Sequence, residues 1–570
     1  MALLRNHRFR SNEGQQFTGL VAIMLLVGTW VMVAYFINPR GEFPLADDWA
    51  YAEAVRSLLR GGGLQLREIS TNIIAQIVWG ELFCLPFGFS FIALRISTLT
   101  LGAVGVSAFY GLLREAGADR GTALFGALML AFNPFYLVLS YTFMSDVPFT
   151  AVALISLYFL ARGMRRDSRL EVATGLFLAC AALLIRQPGL AIFMAFSLAY
   201  LKKSGFRLRN LLFASVSVAF GGFVQVLWDR WMKYRHILPA GHSLQAASVL
   251  SPSSYISWHA TEPFAAGLIV ISVYLGLFLF PLLLFIGPRR WAGLCRSRPL
   301  TLATLVFALF ASYKLSYWRM PLLPNVLYDL GLGPATLRDA YLLRMRAAST
   351  PFWFVVTYVG FVGAVVLIQA TFVAIGKAVK PLTPGKPEKR ELLVMLLANG
   401  LIYLAPVAVL TLTNQAYDRY LLFLVPLGIG IIILVVKDVS PGKPRFPVVL
   451  FAIASLVLYS AFSIAGTHDY LSWNRARWEA LDNLMTEQRL AALNIDGGYE
   501  FNASYHYDPK HGETAGGRSY WWVGGADFLV TFGPVLGYSE LRCYPYRRWI
   551  PPAEGSILVL RRATRDAPDR

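Results

Sequence analysis

The stretch Leu45-Ala-Asp-Asp-Trp-Ala-Tyr-Ala-Glu-Ala-Val-Arg-Ser-Leu-Leu59 decides how the rest of the chain is interpreted. Its apolar residues recur every three or four positions, which is typical of one helix face, and the glycines at 61–63 end the pattern. A helix of this length cannot cross a bilayer, so the stretch predicts an amphipathic helix at a membrane surface. Asp47 and Asp48 stand at its start. Aspartate is a preferred N-cap, but one helix needs only one capping residue, so capping does not explain the second carboxylate of the pair.

The composition places this helix in a polytopic membrane protein. Of 570 residues, 56% are hydrophobic and only 15% are charged, whereas soluble domains carry about 25% charged residues. The net charge of +19 does not indicate nucleic-acid binding, because the basic residues form short clusters between apolar segments rather than one patch. We interpret these clusters as topology signals, and we expect membrane lipids but no nucleic acid as partners.

Thirteen apolar segments are long enough to be membrane spans, which need about 20 residues each. They lie at roughly 17–37, 91–112, 121–140, 147–163, 172–185, 188–201, 211–228, 264–287, 299–313, 351–376, 393–412, 419–436 and 446–465. The first has no small-residue cleavage site and predicts an uncleaved signal-anchor. Arg186-Gln-Pro188 interrupts the region 172–201, which is either two spans or one re-entrant hairpin. Basic residues at every second junction predict a cytoplasmic N-terminus and, with an odd number of spans, an outer C-terminal region.

The outer segments predict further local structure. A second surface helix is expected around residues 72–83, in the same outer loop as the acidic pair. After a transmembrane domain of residues 1–465, residues 466–570 predict a small outer α+β domain. Its pattern is helical at 474–493 and strand-like at 498–505, 527–532 and 556–561. Four cysteines do not make a disulfide framework, although Cys84 and Cys543 both face outward on this topology and leave one bridge open.

Ionisable residues at membrane level are costly and are the first candidates for function. On the predicted topology the outer face collects Asp47, Asp48, Asp146, Arg186, Lys314, Asp418 and Arg419. Basic groups that hold a lipid phosphate beside carboxylates that transfer a proton would give this pattern. Structural alternatives stay open, because Ser145-Asp-Val-Pro148 is an ordinary helix start and Asp418-Arg419 could be a local ion pair.

Four of these motifs together resemble the GT-C superfamily of membrane glycosyltransferases. The resemblance is strongest to the bacterial family-39 branch, which includes relatives of protein O-mannosyltransferases and of the lipid A aminoarabinose transferase. Asp47-Asp-Trp-Ala-Tyr-Ala-Glu53 is similar to the acidic motif of that family's first outer loop, and Met144-Ser-Asp-Val-Pro148 to the acidic motif of its second. Arg186-Gln-Pro-Gly189 and Tyr417-Asp-Arg-Tyr420 resemble its basic turn and the start of a late span. The resemblance covers roughly residues 15–465.

This resemblance implies an enzyme that transfers a sugar from a polyprenyl-phosphate donor. The acceptor would be a lipid, a protein or a polysaccharide at the outer face of the bacterial cytoplasmic (inner) membrane, and single displacement would invert the anomeric carbon. Asp47 is the implied general base or acceptor-orienting group, with Asp48 and Asp146 as further catalytic candidates. The charge of the departing lipid phosphate needs compensation, for which the candidates are Arg186, Arg419 and Lys314.

A divalent cation is a second way to compensate that charge. The metal site of the aminoarabinose-transferase branch uses Glu and His from several loops, and Glu81 and His242 are the candidate counterparts here.

Two functions of other classes stay open: a transporter or flippase of lipid-linked sugars, and a scaffold whose working part is residues 466–570. The transporter is less favoured than glycosyl transfer, because the halves show no convincing repeat and the acids lie at span ends rather than at mid-span.

Overall fold

The computed structural model describes residues 2–66, 71–239, 261–287, 290, 320–323, 325–339, 349–380, 390–412, 415–439, 445–507, 522–523 and 525–563. Within these residues, nine helices are long and apolar enough to cross a membrane, and a helix pair bent by 59° makes a tenth if it counts as one span. The chain is therefore a multi-pass helical membrane protein.

The helices in chain order are α1 (Ala2–Ile37), α2 (Asp48–Leu59), α3 (Ile74–Cys84), α4 (Phe91–Glu115), α5 (Arg120–Ala131), α6 (Pro134–Ser140), α7 (Asp146–Arg166), α8 (Arg169–Ile185), α9 (Leu190–Ser204), α10 (Leu208–Tyr234), α11 (Thr261–Ile286), α12 (Thr350–Val379), α13 (Arg390–Leu412), α14 (Leu424–Val439), α15 (Phe446–Thr486) and α16 (Tyr499–His506). Short 3₁₀ turns cover Gln187–Gly189, Asp418–Leu421 and Ala492–Asn494. The strands are β1 (Leu327–Tyr328), β2 (Gly331–Leu332), β3 (Ile495–Asp496), β4 (Phe528–Thr531), β5 (Tyr538–Trp549) and β6 (Pro552–Arg562).

Nine of the thirteen predicted spans correspond to the nine long apolar helices, and the segment 121–140 is the bent pair α5 and α6. The segments 172–185 and 188–201 are α8 and α9, with 17 and 15 residues. At about 1.5 Å per residue, neither reaches the roughly 30 Å of a bilayer core, so two short spans and a re-entrant hairpin both stay open. The segment 299–313 lies outside the described residues, and the total of thirteen stays a prediction.

The bend between α5 and α6 has a local cause that hydropathy does not reveal. Pro134 cannot donate a backbone hydrogen bond, and Asn133 caps α6 by accepting from the backbone N–H groups of Phe135 and Tyr136. The apolar segment 121–140 is therefore two helices rather than one straight span.

The helices α2 and α3 form where the sequence predicts them, but α2 is more deeply packed than a surface helix. In α2, buried residues occur on more than one face, among them Asp48, Trp49, Ala52 and Val55. The ring of Trp49 lies 5.4 Å from that of Tyr507 in the C-terminal region, measured between centroids. Helix α2 is therefore enclosed by protein and does not simply lie on the lipid surface.

The last span continues without a break into the C-terminal region. Helix α15 has 41 residues, so the predicted boundary at 465/466 falls inside one helix. The predicted helix at 474–493 is the second half of α15 and ends at Thr486, before the predicted end. The division into two domains stays a prediction, although residues of the sheet such as Tyr544 and Ile557 belong to the same buried apolar cluster as the membrane helices.

Beyond α15 lies a four-stranded sheet with the order β3-β4-β6-β5. Strands β3 and β4 are parallel, whereas β6 pairs antiparallel with both β4 and β5. The predicted strands at 527–532 and 556–561 are confirmed as β4 and part of β6. The predicted strand at 498–505 is wrong: Tyr499–His506 is helix α16, and four consecutive residues of it are buried, which an alternating strand pattern does not anticipate. The cysteine bridge left open also does not form, because Cys84 and Cys543 are both free.

Candidate active site

The two adjacent acids at the start of α2 have different environments. Neither oxygen of Asp47 caps the helix. Asp48 is 2% exposed, and its oxygens accept from the backbone N–H groups of Phe143 at 2.8 Å and Leu45 at 3.3 Å. Asp48 therefore ties the acidic loop to the segment before α7, which is a structural role.

Burial raises the pKa of the Asp48 carboxyl to about 8. The backbone N–H of Phe143, the cation of Arg95 and the backbone N–H of Leu45 act in the opposite direction, and the charge of Asp47 adds to the rise. Asp48 is therefore largely neutral at pH 7, which does not suit a base that must accept a proton there.

Asp47 is the accessible acid, with 27% of its side chain exposed. Its Oδ2 accepts from a guanidinium nitrogen of Arg419 at 3.0 Å, and its Oδ1 accepts from the Tyr499 hydroxyl at 3.0 Å. An ionised carboxylate has about four lone-pair positions, so two remain for a further proton or hydroxyl group. Asp47 is thus held by two hydrogen bonds and can still accept a further hydrogen bond or a proton.

A second acid–base pair joins the ends of two other helices. Asp146 begins α7, and its carboxylate contacts the guanidinium of Arg186, which follows α8. The motif is a helix start, as the alternative interpretation predicts, but Ser145 makes no side-chain capping bond. Asp146 and Arg186 are instead partners, both largely buried.

The backbone around the Asp146–Arg186 pair is fixed by contacts from the two residues that precede α3. The Asn72 side chain donates to the carbonyl of Leu183 at 2.7 Å, and the N–H of Ile73 donates to the carbonyl of Ile185 at 2.9 Å. These bonds set the end of α8 and therefore the position of Arg186.

The two pairs meet around shared aromatic side chains. The ring of Tyr420 lies under both guanidinium groups, 5.3 Å from that of Arg186 and 5.8 Å from that of Arg419. The charges of both pairs also act on the Tyr51 hydroxyl. Burial is the largest cause that raises the pKa of this hydroxyl above its usual range, and the charges of Asp47, Arg419, Arg186 and Asp146 follow in decreasing order of effect. Four ionisable residues predicted from distant sequence positions are thus brought into one site.

Asp418 does not pair with Arg419, so the local ion pair that the sequence left open is absent. Its carboxylate instead accepts from the backbone N–H groups of Val326 and Leu327, at distances from 2.8 to 3.1 Å. Asp418 anchors the loop that carries β1, and the side chain of Arg419 turns toward Asp47 instead.

Arg419 keeps one unused donor. Its Nε is buried and, among the described residues, has no hydrogen-bond acceptor. A buried donor without a partner costs free energy unless a ligand satisfies it. A phosphate oxygen is a suitable partner, because guanidinium groups bind phosphate through several N–H groups at once.

The sequence predicts three further residues for this site. Lys314 and His242 lie outside the described residues. Glu81 lies on α3, and the part of the chain that the structure describes has no group of three His, Cys, Asp or Glu side chains able to hold a metal ion. The described residues therefore do not fit a metal centre, since Asp47 and Asp146 each already contact an arginine, and metal dependence stays a prediction.

Sequence analysis missed the contribution of the C-terminal region. Tyr499 contacts Asp47, and the neighbouring Glu500 accepts from the backbone N–H of Ala46 at 2.8 Å. Glu500 is fully buried and pairs with Arg477 at 2.8 Å. No signal in the sequence points to this contribution, because Arg477 is one of several charged residues in its stretch and nothing connects Glu500 to a loop about 450 residues earlier.

Comparison with known families identifies part of this region. Residues 79–228 match the model of the family described as dolichyl-phosphate-mannose-protein mannosyltransferase. The match includes Asp146 and Arg186 but neither Asp47 nor Arg419. It confirms the predicted resemblance to GT-C membrane glycosyltransferases and indicates glycosyl transfer as the class of activity. No curated protein sequence matches the chain.

Three solved structures are similar at low identity. ArnT from Cupriavidus metallidurans in the apo state is 16% identical, with 84% of this chain and 81% of that chain covered and a TM-score of 0.38. The same protein bound to undecaprenyl phosphate is 14% identical, with 96% and 99% covered and a TM-score of 0.38. The archaeal oligosaccharyltransferase AglB from Archaeoglobus fulgidus, in complex with an inhibitory peptide and a dolichol-phosphate, is 12% identical, with 80% and 55% covered and a TM-score of 0.39. These likenesses are too loose to carry conclusions about activity.

Proposed function

We propose that this protein transfers a sugar from a polyprenyl-phosphate donor to an acceptor at the outer face of a bacterial cytoplasmic membrane. The observation that carries the proposal is the partly exposed carboxylate of Asp47, held by Arg419 and Tyr499 beside the Asp146–Arg186 pair. The acceptor is a lipid, a protein or a polysaccharide. In this proposal the chain crosses the membrane thirteen times, and residues 466–570 form an outer C-terminal domain.

In the proposed reaction, Asp47 takes the proton of the acceptor hydroxyl or amine as that group attacks the anomeric carbon. The new glycosidic bond forms while the bond from the anomeric carbon to the phosphate oxygen breaks. The electron pair of the broken bond leaves with the polyprenyl phosphate, and a single displacement of this kind inverts the anomeric centre. Catalysis then depends on orientation and on proton removal by Asp47.

Arg419 and Arg186 compensate the negative charge of the departing phosphate. Both guanidinium groups are largely buried, and charge-assisted hydrogen bonds in such a site are stronger than in water. The unpartnered Nε of Arg419 supports a phosphate-binding role for this residue. Asp146 holds Arg186 in place, and Asp48, as a neutral and enclosed carboxyl, shapes the loop rather than acting as a base.

The test is release of polyprenyl phosphate by the purified full-length protein in lipid nanodiscs. The substrates are a panel of radiolabelled polyprenyl-phosphate hexoses and pentoses, with detergent-extracted envelope lipids and glycans as acceptors. We expect one donor to be consumed with transfer of its label, and Asp47→Asn to abolish this transfer. Glu53→Gln is the control, since Glu53 lies on the same helix and, within the part of the chain that the structure describes, forms an ion pair only with nearby Arg56 at 2.9 Å.

Label that crosses a sealed membrane while it remains attached to the polyprenyl phosphate would indicate the transporter instead. Equal transfer by Asp47→Asn and Glu53→Gln would refute the assignment of Asp47.

A further inference from the structure

We propose that helix α16 of the C-terminal region is part of the catalytic centre, with Tyr499 as the residue that positions Asp47. This inference rests on the proposed glycosyl transfer. It gives a role to a region for which the sequence suggests none.

Two consecutive residues of α16 hold two consecutive residues of the acidic loop. The Tyr499 hydroxyl donates to Oδ1 of Asp47 at 3.0 Å, and the Glu500 carboxylate accepts from the N–H of Ala46 at 2.8 Å. One bond fixes the side chain of the acid and the other fixes the backbone just before it. Together they define where the carboxylate points.

The backbone that Glu500 holds has an unfavourable conformation. Ala46 has a φ of +53°, in the left-handed region that residues other than glycine rarely adopt. Such a conformation persists only when surrounding contacts over-determine it, and it is enriched at functional sites. The bond to Glu500 is one of those contacts, so the direction of Asp47 depends on α16.

Helix α16 is itself anchored, so it can hold the acidic loop in one position. Arg477 of α15 donates to Glu500 at 2.8 Å and to the carbonyl of Gly497 at 2.8 Å, and both charged side chains are fully buried. The backbone N–H of Tyr499 donates to the carbonyl of Thr336 at 2.9 Å. The start of α16 is therefore tied to α15 and to the outer loop around Thr336.

The Tyr499 hydroxyl is suited to remain a donor. Its burial and the neighbouring charge of Asp47 raise its pKa, so it stays protonated over the whole neutral range. The other charged or titratable groups around Asp47 are Arg419, which also bonds it, and Tyr51, Asp48, Asp146 and Arg186. Among these contacts, Tyr499 supplies the bond to Oδ1 and Arg419 the bond to Oδ2.

The test replaces Tyr499 by phenylalanine in the full chain, which removes the hydroxyl and keeps the ring. We expect kcat for transfer to fall about tenfold, or about 1.4 kcal/mol in activation free energy, with KM for the donor and the unfolding temperature unchanged.

Tyr505→Phe is the matched control, because Tyr505 lies on the same helix and is 50% exposed. If Tyr499→Phe and Tyr505→Phe have the same kcat, the positioning role is refuted. It is also refuted if Tyr499→Phe lowers activity only through a higher KM or a lower unfolding temperature.

Asp47→Asn is assayed in the same series. An inactive Asp47→Asn with a normal Tyr499→Phe overturns only the role of α16. A fully active Asp47→Asn overturns the assignment of Asp47 as base and the positioning role with it, whereas absence of transfer by the wild type overturns the proposed function.

Discussion

Replacing Asp48 by asparagine should change how the stability of the protein depends on pH. The raised pKa of about 8 means that the folded protein holds a proton on Asp48 in the range where an unfolded aspartate, with a pKa near 3.8, has lost it. The folded state therefore binds more protons than the unfolded state between these values. Stability from this group is fully present below the ordinary pKa and is lost as the pH rises toward 8.

The magnitude follows from proton linkage and from the contacts of Asp48. One extra bound proton changes the free energy of unfolding by at most roughly 1–2 kcal/mol per pH unit. Asparagine does not titrate, but it keeps only one acceptor for the two backbone N–H groups of Leu45 and Phe143. One N–H loses its partner, at a cost of about 1–3 kcal/mol. The variant should be the less stable protein at pH 5, and the difference should shrink or reverse by pH 9.

The assay is thermal unfolding in detergent at pH 5 to 9, followed by tryptophan fluorescence. Wild type, Asp48→Asn and the control Glu53→Gln are compared at each pH, so that titrations shared by all three cancel. If the unfolding temperatures of wild type and Asp48→Asn differ by the same amount at every pH, Asp48 is not a buried neutral carboxyl and its assignment as a structural residue loses its basis.

Two further outcomes follow from the described contacts. Asp146→Asn leaves the buried Arg186 without its anionic partner and should cost about 3–5 kcal/mol of stability. Adding Arg186→Gln to this variant should restore the unfolding temperature but not the transfer activity. If the double variant recovers neither, pairing is refuted as the structural role of these residues. Gly189→Ala should lower both stability and transfer, because a Cβ at Gly189 collides with the backbone N of Leu183, which precedes Arg186 in the chain. Gly222→Ala is its control, since a Cβ there has nothing within 4 Å, and equal effects of the two alanines on unfolding temperature and transfer would show that the close approach is unimportant.

Much of the site could be predicted because charge is expensive at membrane level. Asp47, Asp146, Arg186 and Arg419 stand at the ends of apolar segments, and the topology places them on one face before any contact is known. Sequence could not decide between Asp47 and Asp48, since their difference is one of burial. The structure separates them through the backbone N–H groups that occupy Asp48.

The contributions that could not be predicted all depend on long-range packing. Glu500 reads as part of a short alternating strand, whereas its pairing with Arg477 and its contact with Ala46 stabilise a buried helix start. Hydropathy located most spans but not the break at Asn133, because a cap and a proline leave the average apolarity unchanged. Hydropathy also placed a domain boundary at 465/466, although α15 continues through it as one helix.

The most direct test of the central claim separates donor binding from chemistry at Asp47. Polyprenyl-phosphate donor is titrated against wild type and Asp47→Asn in nanodiscs, and product release is then measured at saturating donor. Loss of a general base should lower kcat at least about 100-fold, while the variant still binds donor because Arg186 and Arg419 remain. An Asp47→Asn protein that binds donor and turns it over within a few-fold of the wild-type rate would contradict the claim that Asp47 is the catalytic base.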